Sequence, residues 1–225
     1  MTRTDDLIDT LVERAAPVRR LRPPLVRAAL WLAFAGLLIA LMAAGTGIRA
    51  DFIARLHQPA FAVTIGAALA TGILSAVTAF AASIPGRSRW WLALPLPPLA
   101  VWMSTIGYGC AAHWVSPGPD GLHFGEELRC AALVVMTSVP LGIALAAMLR
   151  YAATLRPGTV ALSGGLAIAA IVAAALPLFH DHDASALILL WNVGTAALMT
   201  SVAGLLGPHM FSWMAARLHM PGNVR

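Results

Sequence analysis

The amino-acid sequence predicts an all-α, polytopic membrane protein: a bundle of six transmembrane helices preceded by a short cytoplasmic N-terminal amphipathic helix. The first supporting observation is composition, since 59% of the 225 residues are hydrophobic and only 11% are charged. A soluble domain of this length cannot bury so much apolar surface. The second is that the apolar residues form runs of about 20 residues, the length that a helix needs to cross a bilayer.

Residues 1–27 form the N-terminal segment, and within it 4–14 have the pattern of a short amphipathic helix. Its apolar stripe consists of Leu7, Ile8, Leu11 and Val12. Its acidic residues are Asp5, Asp6, Asp9 and Glu13. A helix shorter than about 12–15 residues is marginal alone, so the stripe needs a surface to cover it. Because interfacial helices usually carry basic residues and anionic lipid repels acidic ones, the pattern favours a protein partner over a passive surface helix.

Residues 28–210 form the predicted transmembrane domain, and 211–225 form a cytoplasmic C-terminal tail. The six apolar runs lie at about 28–48, 60–83, 90–113, 127–149, 159–179 and 185–207. No Asp, Glu, Lys or Arg lies in the middle of a run. Prolines at 95, 97 and 98 open the third run, and those at 140 and 177 are interpreted as kinks inside later helices.

The basic residues predict the orientation, and all 15 of them are arginines. With the N-terminus inside, twelve fall in inner segments, and only Arg49, Arg55 and Arg129 fall in outer ones. This positive-inside bias predicts a membrane protein with both termini in the cytoplasm.

Tryptophans and small residues suggest how the helices face one another. The residues interpreted as an interfacial aromatic belt are Trp31, Trp90, Trp91 and Trp114, whereas Trp102 and Trp191 are expected to contact other helices. Four-residue spacing joins Gly36 to Ala40, and Ala68 to Gly72 and Ala76, which is typical of closely packed membrane helices.

Two cysteines lie toward the outer face, Cys110 near the end of the third run and Cys130 opening the fourth. If those helices are adjacent and antiparallel, the thiols lie at similar depth, and a disulfide needs their Cα atoms within roughly 7 Å. A helix N-terminus and Arg129 favour the thiolate of Cys130, although Glu126 and Glu127 oppose it. The pair is interpreted as structural or redox-active, with unpaired packing cysteines as one alternative.

A metal site is the other interpretation of these thiols. The candidate ligands are Cys110, Cys130, His113, His180 and His182. Thiolate and imidazole suit Zn or Cu(I), but the spacing matches no known metal motif, so the loops would have to meet in space. No cofactor is otherwise expected.

The sequence contains no catalytic constellation, so an enzyme is not expected. Ion-coupled transport usually leaves ionisable residues within the membrane, and their absence from the runs counts against a pump or symporter. Two alternatives stay open: a small metal or solute permease with an outer His/Cys entry site, and an accessory subunit that scaffolds another membrane protein.

Several motifs resemble the NrsF family of six-span anti-sigma factors, which implies that the protein lies in the bacterial inner membrane. They are TDDLIDTL (4–11), APVRRLRPP (16–24), PGRSR (85–89), GYGC (107–110), LRC (128–130) and FHDHDAS (179–185). The resemblance implies a protein that holds an extracytoplasmic-function sigma factor at the membrane through its N-terminal segment, without binding nucleic acid itself. It further implies release under metal or oxidative stress, with Cys110 and Cys130 as sensing thiols. The implied sigma-factor-binding residues are Asp5, Asp6, Leu7, Ile8, Asp9, Leu11 and Val12.

Overall fold

The computed structural model describes residues 9, 12–13, 22–84, 86, 88–112, 124–149 and 157–179. All regular structure within these ranges is helical, and they contain no strand. The helices are α1 (Pro24–Thr46), α2 (Phe52–Leu56), α3 (Pro59–Ala82), α4 (Leu96–Ala112), α5 (Phe124–Leu149) and α6 (Pro157–Ala175). Short 3₁₀ helices cover Arg89–Ala93, before α4, and Leu176–Leu178, after α6.

Proline and glycine set several of these helix boundaries. Helices α1, α3 and α6 each begin at a proline, whose fixed φ and missing N–H suit the first helical position. Helix α1 ends where Gly47 adopts φ 85°, and the Gly47 N–H donates to the Ala43 carbonyl at 3.0 Å. Glycine adopts this left-handed conformation without a steric penalty, which makes it a common helix stop.

Four helical stretches are long and apolar enough to cross a membrane: Pro24–Thr46, Pro59–Ala82, Ala132–Leu149 and Gly158–Leu178. They confirm the first, second, fourth and fifth predicted runs as helices. The third run forms α4, which has 17 residues and starts at Leu96 because 89–93 are 3₁₀-helical. The sixth run and the C-terminal tail lie outside the described residues, so six spans remain a prediction.

The N-terminal segment is described at few positions. Asp9, Val12 and Glu13 are helical and exposed, and Val12 is 68% exposed. The other predicted sigma-factor-binding residues lie outside the described part, so the amphipathic helix also remains a prediction.

The five long helices pack in three layers, with the antiparallel pair α3–α6 in the middle. Helices α1 and α5 cover one face of this pair, where the main buried cluster is centred on Trp31, Phe80, Leu141, Val160 and Ile171. Helix α4 covers the other face through Trp102, which packs among four alanines. Those alanines are Ala67, Ala68, Ala170 and Ala174.

Small residues allow the middle layer to pack closely, as their spacing predicts for α3. A Cβ atom placed on Gly72 would lie 2.8 Å from the Ile171 side chain and 3.2 Å from the Ile171 backbone nitrogen. Gly164 of α6 is similarly close to Leu145 of α5. By contrast, a Cβ atom on Gly36 would meet nothing within 4 Å among the described residues, so the Gly36–Ala40 pair of α1 makes no close helix contact with that part of the bundle.

The tryptophans divide differently from the prediction. Trp31 is fully buried, so its assignment to an interfacial belt is wrong. Its ring fills the space between α1 and α5, and a position near the end of an apolar run does not reveal that. Trp90 is 84% exposed, as expected of a belt residue, and Trp102 contacts other helices, as predicted. Trp114 and Trp191 lie outside the described residues.

Candidate functional site

Two contacts define the opposite ends of the bundle. At the Arg27 end, the start of α1 meets the ends of α3 and α5 through Arg27, Phe80 and Met148. At the Asp51 end, the segment after α1 meets the end of α6, where the Arg49 N–H donates to the Leu178 carbonyl at 3.0 Å. These contacts agree with chain segments that alternate in direction through the bundle.

Arg27 is a buried cation in the first turn of α1, with only 4% of its surface exposed. One guanidinium nitrogen, Nη2, donates to the Met148 carbonyl near the end of α5. The guanidinium carbon lies 5.0 Å from the centre of the Phe80 ring of α3, within cation–π range. The other terminal nitrogen, Nη1, is buried without a hydrogen-bond partner among the described residues. This single side chain therefore connects three helix ends.

Trp31 makes a second polar contact between α1 and α5, one turn further into the bundle. Its indole N–H donates to the Leu141 carbonyl at 3.1 Å. Leu141 follows Pro140, which interrupts the hydrogen-bond ladder of α5 because proline lacks an N–H. The bond to Trp31 holds α5 beside this interruption.

The Asp51 end carries a compact charge cluster. Arg49 donates from both Nε and Nη2 to the carboxylate of Asp51, and the Nη2 bond measures 2.8 Å. Arg55 donates to the same carboxylate at 3.0 Å. The hydrogen bonds from Arg49, followed by that from Arg55, lower the pKa of Asp51 and outweigh the opposing effect of partial desolvation. Asp51 thereby neutralises part of the positive charge of two predicted outer arginines.

The two cysteines lie in the half of the molecule toward the Asp51 end. Cys110 is the third residue from the end of α4, as its predicted place at a helix C-terminus requires. Cys130 is the seventh residue of α5, because that helix begins at Phe124. The field of a helix terminus fades within the first turn, and Cys130 lies beyond that turn, so the prediction that Cys130 opens the helix is wrong.

The helices that carry these cysteines, α4 and α5, are not packed neighbours over the residues that the structure describes. Over the described residues α4 packs on α3, whereas α5 packs on α1 and α6. In the described part the α3–α6 pair lies between them, so adjacency, the condition set for a disulfide, is not met there. The side chains of Cys110 and Cys130 are outside the described part of the structure, and no sulfur–sulfur distance follows.

The metal site stays a prediction, because the side chains of all five candidate ligands lie outside the described part of the chain. No group of three or more His, Cys, Asp or Glu residues with metal-binding geometry occurs among the described residues. His113, His180 and His182 lie outside those residues, as do Asp5, Asp6, Leu7, Ile8 and Leu11.

Arg27 has a structural role that the sequence does not predict from its position, where it counts only as one of twelve inner arginines. One signal could have identified it. Arg27 and Trp31 are spaced i and i+4, so they lie on one face of a helix that is otherwise apolar. A membrane helix seldom carries a polar pair on one face without a partner helix.

Over the described residues the fold is all-helical, with four helical stretches long and apolar enough to cross a membrane, and these residues form no catalytic geometry. The family model described as "NrsF: Negative regulator of sigma F" matches residues 11–213, which is most of the chain. The chain belongs to the NrsF family, whose members are regulators of a sigma factor and not a class of enzyme. No curated protein and no solved structure matches it significantly.

Proposed function

We propose that this chain is a membrane-bound anti-sigma factor of the bacterial inner membrane, whose partner is an extracytoplasmic-function sigma factor. The family match over residues 11–213 is the observation that carries this proposal. The match begins inside the amphipathic segment and includes Leu11 and Val12. Residues 5–12 bind the sigma factor through their apolar stripe, and the acidic residues beside the stripe face basic side chains of the partner.

The Arg27 end faces the cytoplasm in this proposal. The arginine distribution supports that orientation, because the outer segment between α1 and α3 has its arginines paired with Asp51. The inner segments carry an excess of arginine without a comparable number of acids. The sigma-factor-binding segment and the junction at Arg27 then lie on the same side of the membrane.

Cys110 and Cys130 sense metal or oxidative stress in the outer compartment. A disulfide would draw the ends of α4 and α5 toward each other, because these helices pack on opposite faces of α3–α6. On a chain-entropy estimate, a disulfide that closes this loop of about 20 residues stabilises the folded protein by about 3 kcal/mol. A shift from mostly bound to mostly free sigma factor needs several kcal/mol, so the two magnitudes are comparable.

Metal ligation is the other chemical state that these thiols support. Thiolate and imidazole donors from Cys110, Cys130, His113, His180 and His182 fit Zn or Cu(I) in chemistry. Joining ligands from α4 and α5 requires the same approach of helix ends as a disulfide. Both signals therefore act on the packing of α5.

Retention of a sigma factor by the full-length protein tests the central claim. Membranes containing the wild-type chain should capture a sigma factor from lysate, and a Leu7→Ser/Leu11→Ser variant should lose it because the apolar stripe is interrupted. Leu37→Ser, at an exposed position of α1, is the matched control and should retain the partner. Equal capture by the wild type and the double variant would remove the N-terminal segment from the interface.

A sigma-dependent reporter tests the sensing role. Cys110→Ser and Cys130→Ser should each shift the dose of metal or oxidant at which the reporter is induced, because either change prevents pairing. Ser104→Ala, in the same helix as Cys110, serves as the control. If both cysteine variants keep the wild-type dose response, the thiols have a packing role only.

A further inference from the structure

Arg27 occupies the point at which the N-terminal segment becomes a membrane helix. It is the fourth residue of α1 and is buried, while Arg22 and Pro23, just before the helix, are exposed. The groups that hold Arg27 therefore fix the start of α1, to which the N-terminal segment is joined.

The end of α5 is one of the groups that hold Arg27. The last carbonyls of a helix have no partner within it, and they carry partial negative charge. The Met148 carbonyl, one residue before the end of α5, accepts from Arg27 Nη2. A charged donor at a helix C-terminus gains both the hydrogen bond and the interaction with the helix dipole.

Phe80 fixes the other side of the guanidinium group. The ring lies at the end of α3 and is fully buried, and the guanidinium carbon is 5.0 Å from its centre. Lysine cannot reproduce this arrangement, because only a planar guanidinium stacks on a ring while it donates in its own plane.

Helix α1 forms hydrogen bonds with α5 at two positions along its length. Arg27 holds the Met148 carbonyl and Trp31 holds the Leu141 carbonyl, so one face of α1 follows two turns of α5. Met148 is about 27 Å from Cys130 along the helix, at 1.5 Å per residue. A movement of α5 would therefore displace the start of α1, because these two hydrogen bonds join the helices.

We propose that Arg27 is a latch, a positioning residue that couples the end of α5 to the N-terminal segment. When α5 is seated, Arg27 holds the start of α1 and presents residues 1–21 for binding. When α5 shifts, the Met148 carbonyl separates from the Arg27 guanidinium, and the N-terminal segment is no longer held in position for the sigma factor. This inference rests on the proposed function, since it names the contact through which that function is regulated.

Amide hydrogen exchange on the detergent-solubilised full-length protein tests the latch. Arg27→Gln should speed exchange in the last turn of α5 by roughly tenfold, the size expected for the loss of a charged hydrogen bond. Arg27→Lys should give a smaller increase. Arg55→Gln, which makes the same charge change at the other end, should leave this turn unchanged. Phe80→Leu, which keeps the apolar contact but removes the ring, provides a second variant if Arg27→Gln does not fold.

Coupling is measured by adding the sigma factor that the wild-type membranes retain. Binding to the wild type should slow exchange in the last turn of α5, and in Arg27→Gln this slowing should disappear. If the role of Arg27 is purely structural, Arg27→Gln should raise the basal exchange rate, but binding of the sigma factor should still slow exchange in the last turn of α5.

Two results would overturn the latch: unchanged basal exchange in both Arg27→Gln and Phe80→Leu, or equal slowing by the sigma factor in the wild type and the variants. Failure of the wild type to bind any sigma factor would instead overturn the proposed function, and the basal comparison would still decide whether Arg27 holds α5.

Discussion

At the scale of single residues, a few polar side chains fix the relative positions of the helices by binding backbone carbonyls. Lipid is as apolar as leucine, so membrane helices associate through close packing and interhelical hydrogen bonds. Arg27 and Trp31 each donate to a carbonyl of α5, and Thr78 donates to the Trp91 carbonyl at 2.9 Å. The Thr78 bond ties α3 to the segment before α4, so three of the connections at the Arg27 end depend on one side chain each.

Asp51 gives a residue-scale prediction about pH. Because its pKa is lowered in the folded protein, its contribution to stability is present above the ordinary carboxyl pKa of about 3.9. The contribution declines below that value and is lost as pH falls through the folded pKa. Asp51→Asn should therefore unfold at a lower temperature than the wild type near pH 7, and the difference should close below about pH 4.

Thermal unfolding in detergent across pH 3–8 measures this difference. Asp9→Asn is the control, since Asp9 is an exposed carboxylate in the N-terminal segment, away from the Arg49–Asp51–Arg55 cluster. A gap between the wild type and Asp51→Asn that stays constant down to the lowest pH would show that the charge of Asp51 is irrelevant.

At the scale of elements, the α3–α6 contact depends on Gly72, which has no side chain and so leaves room for Ile171. Gly72→Ala should destabilise the protein by about 1–3 kcal/mol, because the new methyl group enters space that Ile171 fills. The unfolding temperature in detergent measures the effect. Ile171→Val in the same chain should restore part of the loss by removing the Cδ1 atom.

Gly36→Ala is the matched control for this substitution. It makes the same chemical change in another long helix, where the new Cβ meets nothing within 4 Å among the described residues. Alanine is the better helix former by up to about 1 kcal/mol, so stability should stay equal or rise. Equal losses in both variants would mean that close packing at Gly72 is not the cause.

At the scale of the whole molecule, the three layers separate α4 from α5 and place the Arg27 and Asp51 ends at opposite poles. This arrangement predicts which positions are accessible from each side of the membrane. In a Cys110→Ser/Cys130→Ser background, His57→Cys should react with a membrane-impermeant maleimide in intact cells. Ser88→Cys should react only after the membrane is opened.

Both positions are exposed, so burial does not confuse the comparison. His57 lies between α1 and α3 at the Asp51 end, whereas Ser88 lies between α3 and α4 at the Arg27 end. The reverse labelling pattern would invert the proposed orientation and place the N-terminal segment outside the cell.

The sequence by itself determined the helical class of the described residues and the positions of four helices that are long and apolar enough to cross a membrane. Apolar runs of sufficient length have few alternatives in a bilayer, because every backbone polar group must be satisfied within the segment. It also identified the family, through motifs at the N-terminus and at the helix ends that apolar composition alone would not specify. Local spacing was enough to predict the close approach of α3 at Gly72, which small residues four apart permit.

Only the tertiary structure decided which helices are neighbours and what the polar side chains do. Apolar runs look alike to one another, so hydropathy does not reveal that α3 and α6 separate α4 from α5. For the same reason the sequence predicts an interfacial position for Trp31 and assigns Arg27 only to the inner arginines that set the orientation. Their partners are backbone carbonyls more than 100 residues away, and a carbonyl has no sequence signature. The contact between the start of α1 and the end of α5 is therefore set by packing.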